Sequence, residues 1–301
     1  MDALNVGVIG AGHLGQHHAG KYAACAGARL VGVADVDRAR AERVAGPLGA
    51  AAFADFRELL GAVDAVSIAV PAAAHFEVAH ACLSANLHVL VEKPIAVTLR
   101  EADTLLALAR ERGRVLQVGH VERFNPVVRE LARRVDNPLF IECNRLAPFK
   151  PRGTDVDVLL DLMIHDLDVI SALVGAPVAS IDACGVSVLS DSPDIANARL
   201  NFANGCTANI TASRVSLKVE RKLRVFQRDA YFSADLHQQQ LTVCRKSATG
   251  EIRPEQLQLP GDALQAEIES FLDAVRRGRG AAVSGEDGRR ALQLSLEIAE
   301  R

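Results

Sequence analysis

Three glycines within six residues, Gly10-Ala-Gly12-His-Leu-Gly15, stand directly behind the apolar run Asn5 to Ile9 and directly ahead of helical spacing. That order leaves few folds open. The first glycine permits a tight turn, the second lets a pyrophosphate approach the backbone, and the third lets helix and strand pack closely. A helix N-terminus then faces the phosphates with unpaired N–H groups. A second apolar run, Leu30 to Ala34, ends at Asp35, 20 residues beyond Gly15, where a carboxylate can accept hydrogen bonds from ribose hydroxyls. Gly10, Gly12, His13, Leu14, Gly15 and Asp35 are therefore the candidate dinucleotide contacts. Asp35 would repel a 2'-phosphate, which favours NAD over NADP; Arg38 is the nearby cation that could instead swing toward such a phosphate.

The rhythm continues to residue 120. Ala50 to Phe53, Ala65 to Ala69, His88 to Val91 and Val115 to Val118 are apolar runs too short for helices. Between them Val44, Ala45 and Leu48, then Phe76, Ala79, Cys82 and Leu83, then Ala102, Leu105, Leu106 and Ala109 recur at helical spacing. Thr98 with Glu101 makes a capping box for the third of these helices. Six strands alternating with helices predict a doubly wound parallel α/β sheet, a Rossmann domain over 1–120. Beyond it the pattern turns to period two. Leu139 to Arg145, Ser180 to Val188, Ala196 to Phe202, Thr207 to Ala212, Ser213 to Gln227 and Leu241 to Arg245 read as strands with one wet face. Helical patterns run over Pro126 to Arg134, Leu159 to Leu173, Ala263 to Arg277 and Gly285 onward. The expectation is an α+β domain over 121–301 with a mainly antiparallel open sheet, serving substrate binding and oligomerisation. Its last helix is free to pack back on the first domain.

Composition narrows the partners. Thirty-four Lys and Arg against 37 Asp and Glu give a net charge of -3, without the basic excess of a nucleic-acid binder. The stretch Ala3 to Gly20 lacks charge but carries three His and five Gly, so it is no membrane span. Asp2 sits where a signal peptide would want a cation; a cytoplasmic protein is expected. The six cysteines are never closer than 22 residues and the nine histidines form no HExxH pattern, so no metal is expected. His17 and His18 read as plain helix-face residues.

Two clusters carry chemistry. Glu92-Lys93-Pro94 follows the fifth strand at the carboxyl edge of the sheet, where doubly wound folds bind ligands; alone it is as compatible with a strand-end turn. Asp161 and His165 are spaced i, i+4 on an apolar helix, placing both on one face, where the carboxylate would orient an imidazole base. Taken alone, such a pair is more often structural. Together with the glycine loop and Asp35, these residues resemble the glucose-fructose oxidoreductase, inositol dehydrogenase and MocA family. The resemblance spans essentially the whole chain. It implies that Lys93, Asp161 and His165 are the catalytic set, converging on the substrate carbon that faces the nicotinamide. It also implies cofactor contacts from Val70, Pro71, His75, Glu92 and Lys93, with Ala72 departing from the asparagine common there.

Val118-Gly-His120-Val-Glu-Arg123-Phe-Asn-Pro126 and Arg145-Leu-Ala-Pro-Phe-Lys150-Pro-Arg152 look like the branch of that family acting on C3 of UDP-N-acetylglucosamine. That resemblance implies substrate contacts from Lys93, His120, Arg123, Arg145, Lys150, Arg152, Asp161 and His165. From the residues alone, Arg145, Lys150 and Arg152 make a proline-stiffened cationic loop that is equally readable as a diphosphate clamp or as a solvated segment. The basic run Lys218 to Arg228 reads as a sheet surface. The implied function is oxidation of a nucleotide-sugar hydroxyl by NAD, feeding an aminotransferase that makes a 3-amino sugar of the lipid A type. Alternatives are a UDP-sugar acid, cyclitol or hexose substrate, or an NAD sensor without turnover. The resemblance also implies a homodimer or homotetramer.

Overall fold

In a computed structural model, residues 3–149, 157–247 and 249–301 are described. The chain divides into two compact units, one formed by the chain up to His120 together with Leu264–Leu292, the other by Val121–Ala263 and Gln293–Arg301.

The first unit holds β1 (Leu4–Ile9), α1 (His13–Ala24), β2 (Ala28–Ala34), α2 (Arg38–Ala45), β3 (Ala51–Phe53), β4 (Ala65–Ile68), α3 (His75–Ser84), β5 (His88–Glu92), α4 (Leu99–Arg112) and β6 (Leu116–Gly119). Its six strands are all parallel, in the order β3-β2-β1-β4-β5-β6. The order reverses at β1 and β4, the crevice where such sheets bind ligands. β4 and β6 are buried along their whole length, which is why their sequences run apolar instead of alternating. The capping box of α4 is present, Thr98 Oγ1 accepting from Glu101 N at 3.2 Å.

The second unit holds α5 (Pro126–Arg134), β7 (Phe140–Leu146), a π turn (Leu159–Met163), α6 (Ile164–Val174), β8 (Val178–Val186), β9 (Ile195–Phe202), β10 (Thr207–Ser213), β11 (Glu220–Phe226), β12 (Ala230–Asp235), β13 (Gln240–Lys246) and β14 (Ile252–Gln258). These eight strands form one sheet, β14-β13-β12-β11-β7-β10-β9-β8, antiparallel except where β7 meets β10. β7 and β12 alternate between buried and partly exposed positions; their inward residues Ile141, Cys143 and Phe232 join Val127, Leu131, Met163, Leu167 and Ile170 in one core.

The helices α7 (Ala263–Arg277) and α8 (Gly285–Ala299) end the chain. Ile268, Phe271 and Leu272 of α7 pack with Val6, Val8, Tyr22 and Leu90, so the parallel sheet's core is completed by the chain's far end. The expectation left only the last helix free to pack back; α7 returns to the first unit as well.

Three expected elements differ. Ser213 to Gln227 is not one strand: β10 stops at Ser213 because Arg214 is buried and its guanidinium turns to Asp194 at 2.8 Å. β8 stops at Val186 because the N–H groups of Val188, Leu189 and Ser190 all donate to Asp194 Oδ2 at 2.6–3.0 Å instead of to a ladder. The helix expected over Leu159 to Leu173 opens as a π turn. Two strands unread in the sequence, β12 and β14, also appear; β14 carries Pro254 and is almost wholly exposed, as an edge strand can be.

Candidate active site

The glycine loop gives each glycine a distinct task. Gly10 has φ +97, and a Cβ there would stand 2.5 Å from Ala69 O. A Cβ on Gly15 would fall 1.7 Å from Gly10 O, so α1 can seat on the loop only without one. Around Gly12 a Cβ meets nothing within 4 Å, and Gly12 begins α1 with no side-chain cap. Open space and uncapped N–H groups at a positive helix end are what a phosphate needs. Leu14, 43% exposed, and exposed His13 border that space on the first turn of α1.

Asp35 Oδ2 accepts Ala11 N at 2.7 Å and Oδ1 accepts Asp37 N at 2.9 Å, tying the end of β2 to the loop. Arg38 is engaged with Glu42 at 3.0 Å. The cation beside Asp35 is Arg40, at 3.6 Å, which sequence reading missed.

At the carboxyl ends of β4 and β5 the groups turn inward. His75 is buried, and its ring bridges the carbonyl oxygens of Pro94 (2.7 Å from Nδ1) and Val70 (3.0 Å from Nε2). Burial holds this imidazole below its ordinary pKa despite those two carbonyls. Both its nitrogens face protein, so it pins the Val70 and Pro94 loops together. Glu92 is likewise buried, with Oε1 at 2.9 Å from His18 Nε2 and Oε2 accepting Lys93 N at 3.3 Å. Lys93 itself is half-buried, and the Lys93–Pro94 peptide is cis. His18, expected as a plain helix-face residue, is fully buried.

In the second unit Asp161 lies in the π turn and His165 in the first turn of α6, both half-buried. Asp157 Oδ1 accepts the N–H groups of Leu159 and Leu160 at 3.0 and 2.9 Å and so starts that turn. π turns recur at functional sites. The same unit also holds a largely buried ionic network that the sequence did not disclose. Arg145 forms a bidentate pair with Asp166 (2.8 and 2.7 Å) and reaches Glu122 at 3.1 Å; Arg221 also reaches Glu122, at 3.3 Å. Arg145 is 3% exposed, so it is a fixed interior cation and not a mobile phosphate clamp. Arg123 donates to Asp168 at 3.2 Å, and His120 is fully buried. Lys150 and Arg152, the rest of the expected cationic loop, lie outside the described residues. In the basic run, Lys218 pairs with Glu220 and Arg224 with Glu142. The motifs carried Glu122 only as a neighbour and read Arg145 as a substrate contact and His18 as a helix-face residue; their partners, Glu267 and Asp166, carried no local signal.

A model of an oxidoreductase family with an NAD-binding Rossmann fold, GFO/IDH/MocA, matches residues 4–120, and one of the GFO/IDH/MocA C-terminal domain matches residues 142–232. This chain belongs to that family. It is 42% identical to UDP-N-acetylglucosamine 3-dehydrogenase of Acidithiobacillus ferrooxidans over 99% of this chain and 97% of that protein. A solved structure of that enzyme superposes with a TM-score of 0.94, covering 100% of this chain and 98% of that one. The myo-inositol 2-dehydrogenase of Thermotoga maritima is 29% identical, over 97% and 94%. The chain is thus a family oxidoreductase, with a six-stranded parallel Rossmann sheet and a second, mostly antiparallel eight-stranded sheet. Among the described residues no helix is long and apolar enough to cross a membrane.

Proposed function

We propose that the protein is a sugar dehydrogenase that uses NAD to oxidise C3 of UDP-N-acetylglucosamine to the 3-oxo sugar, supplying an aminotransferase in 3-amino sugar synthesis. The observation that carries this reading is the full-length likeness, 42% identical, to a UDP-N-acetylglucosamine 3-dehydrogenase. The open space at Gly12 and the uncapped start of α1 fit a dinucleotide pyrophosphate, and Asp35, held by Ala11, fits the ribose of NAD. Against NADP stands the Asp35 carboxylate, with Arg38 already engaged by Glu42.

When bound, NAD supplies the hydride acceptor. The chain's own groups do the rest. His165 takes the proton of the sugar hydroxyl, Asp161 steadies the ring as it becomes positive, and Lys93 offers its ammonium to the oxygen as charge develops there. Arg145, buried between Asp166 and Glu122, leaves any diphosphate clamp to Lys150 and Arg152.

The test is single-turnover NADH absorbance with excess enzyme and NAD, comparing UDP-N-acetylglucosamine, its uronic acid analogue and myo-inositol. A signal with the first alone is expected; a signal with another alone would replace the substrate, and ligand binding without NADH from any would replace turnover by sensing. Lys93→Ala and His165→Ala are each expected to lose at least 100-fold in turnover while still binding NAD; near-normal turnover in either removes its role.

A further inference from the structure

Among the described residues a buried titratable cluster lies beside Lys93 and takes no part in the reaction as written above. His18 from α1, Glu92 at the end of β5 and Glu267 from α7 are all buried, each offering an atom within 4.8 Å of the others'. Two carboxylates this close and this dry cannot both carry charge cheaply. The hydrogen bonds decide which does. Tyr22 Oη lies 2.8 Å from Ser67 Oγ, Ser67 Oγ lies 3.1 Å from His18 Nδ1, and His18 Nε2 lies 2.9 Å from Glu92 Oε1. With Tyr22 donating to Ser67, Ser67 to Nδ1 and Nε2–H to Glu92, every donor in this chain of hydrogen bonds has an acceptor. Glu92 also receives the backbone N–H of Lys93. Glu267 receives nothing: both its carboxyl oxygens are buried without a hydrogen-bond partner.

We propose that Glu267 is a permanently protonated acid and that His18 and Glu267 together keep a single negative charge on Glu92, making it the fixed counter-ion of Lys93. These are positioning residues, and their role rests on the reading of Lys93 as a reactive group. The titratable groups facing Glu92 are His18 from α1, Glu267 from α7, His75 from α3 and Lys93 beside it. Burial pushes Glu92 up, and the His18 hydrogen bond together with the neighbouring charges, Lys93's among them, brings it below its ordinary value. Burial and then the charge of Glu92 push Glu267 well above its own.

The test has two readouts. The first is urea unfolding of the intact protein against pH, followed by circular dichroism, with Glu267→Gln alongside. A folded state that keeps a proton the unfolded chain releases above about pH 4.3 loses stability as pH rises. Relative to Glu267→Gln, the wild-type unfolding constant is expected to rise about tenfold per unit between about pH 5 and 7. A flat ratio, or stoichiometric divalent metal lost in Glu267→Gln and on chelation, overturns the proposal. The second is the pH profile of kcat/KM in Glu92→Gln. Losing the counter-ion is expected to move its alkaline limb to lower pH; an unmoved limb overturns the counter-ion role. Should Lys93→Ala retain turnover, the reading of the reaction fails, while the unfolding result still stands or falls by itself.

Discussion

Gly12 and Gly15 differ in one respect that a single methyl group exposes. A Cβ on Gly15 has nowhere to go, 1.7 Å from Gly10 O, whereas one on Gly12 enters empty space. Gly15→Ala is therefore expected to lower the thermal midpoint of the protein markedly, and Gly12→Ala to leave it within a degree or two while weakening NAD binding about tenfold or more; melting curves and NAD titration separate the two. Arg145 gives a second contrast. Removing one partner of a buried pair leaves the others uncompensated at a cost of about 3–5 kcal/mol, so Arg145→Ala should be strongly destabilised in urea, with nucleotide-sugar affinity little changed in whatever folds. A large affinity loss at normal stability would instead make Arg145 a ligand contact. At this scale the sequence was legible where one residue type has one use. Glycine at a close approach and an acid at a strand end declare themselves, while an arginine reads alike whether it meets phosphate or Asp166.

Elements were legible where periodicity is local. α5 and α7 occupy the spans expected from spacing, and all six parallel strands appear. Failures came where a distant side chain overrides the pattern, as Asp194 does at both β8 and β10. Asp194 is buried and accepts from three successive N–H groups, the Ser190 hydroxyl and Arg214. Burial alone would raise its pKa, but these donors hold it well below the ordinary carboxylate range. A depressed folded value gives stability that is present above the unfolded value, about 3.9, and is lost as pH falls below it. The thermal midpoint of the wild type is thus expected to fall more steeply from pH 5 to pH 2 than that of Asp194→Asn; parallel slopes would contradict this. The π turn was also invisible, because Asp161 and His165 keep the same spacing in either helix type.

At the scale of the molecule, the division into a parallel and a mainly antiparallel sheet was readable from the change in period near residue 120. A return of the last helix to the first unit was left open, but that α7 would join it was not legible, since an amphipathic helix does not say which sheet it covers. The alternating strands of the second sheet bury one face and leave Asn197, Arg199, Lys222 and other polar residues on the opposite one. We propose that copies pair across this polar face as a homodimer or homotetramer, and light scattering at micromolar concentration is expected to give two or four chain masses; a monomer would refute it.

The return of α7 also sets an order of birth. The strands that open the chain need Ile268, Phe271 and Leu272 to close their core, and the 143 residues of Val121–Ala263 are made in between. At a ribosome's 5–20 residues per second, the opening strands wait roughly 7 to 30 seconds for their last wall. During that wait the seam beside Tyr22 and Val8 stays open to chaperones, and a nascent chain cut short before α7 carries its cofactor loop on an unfinished sheet.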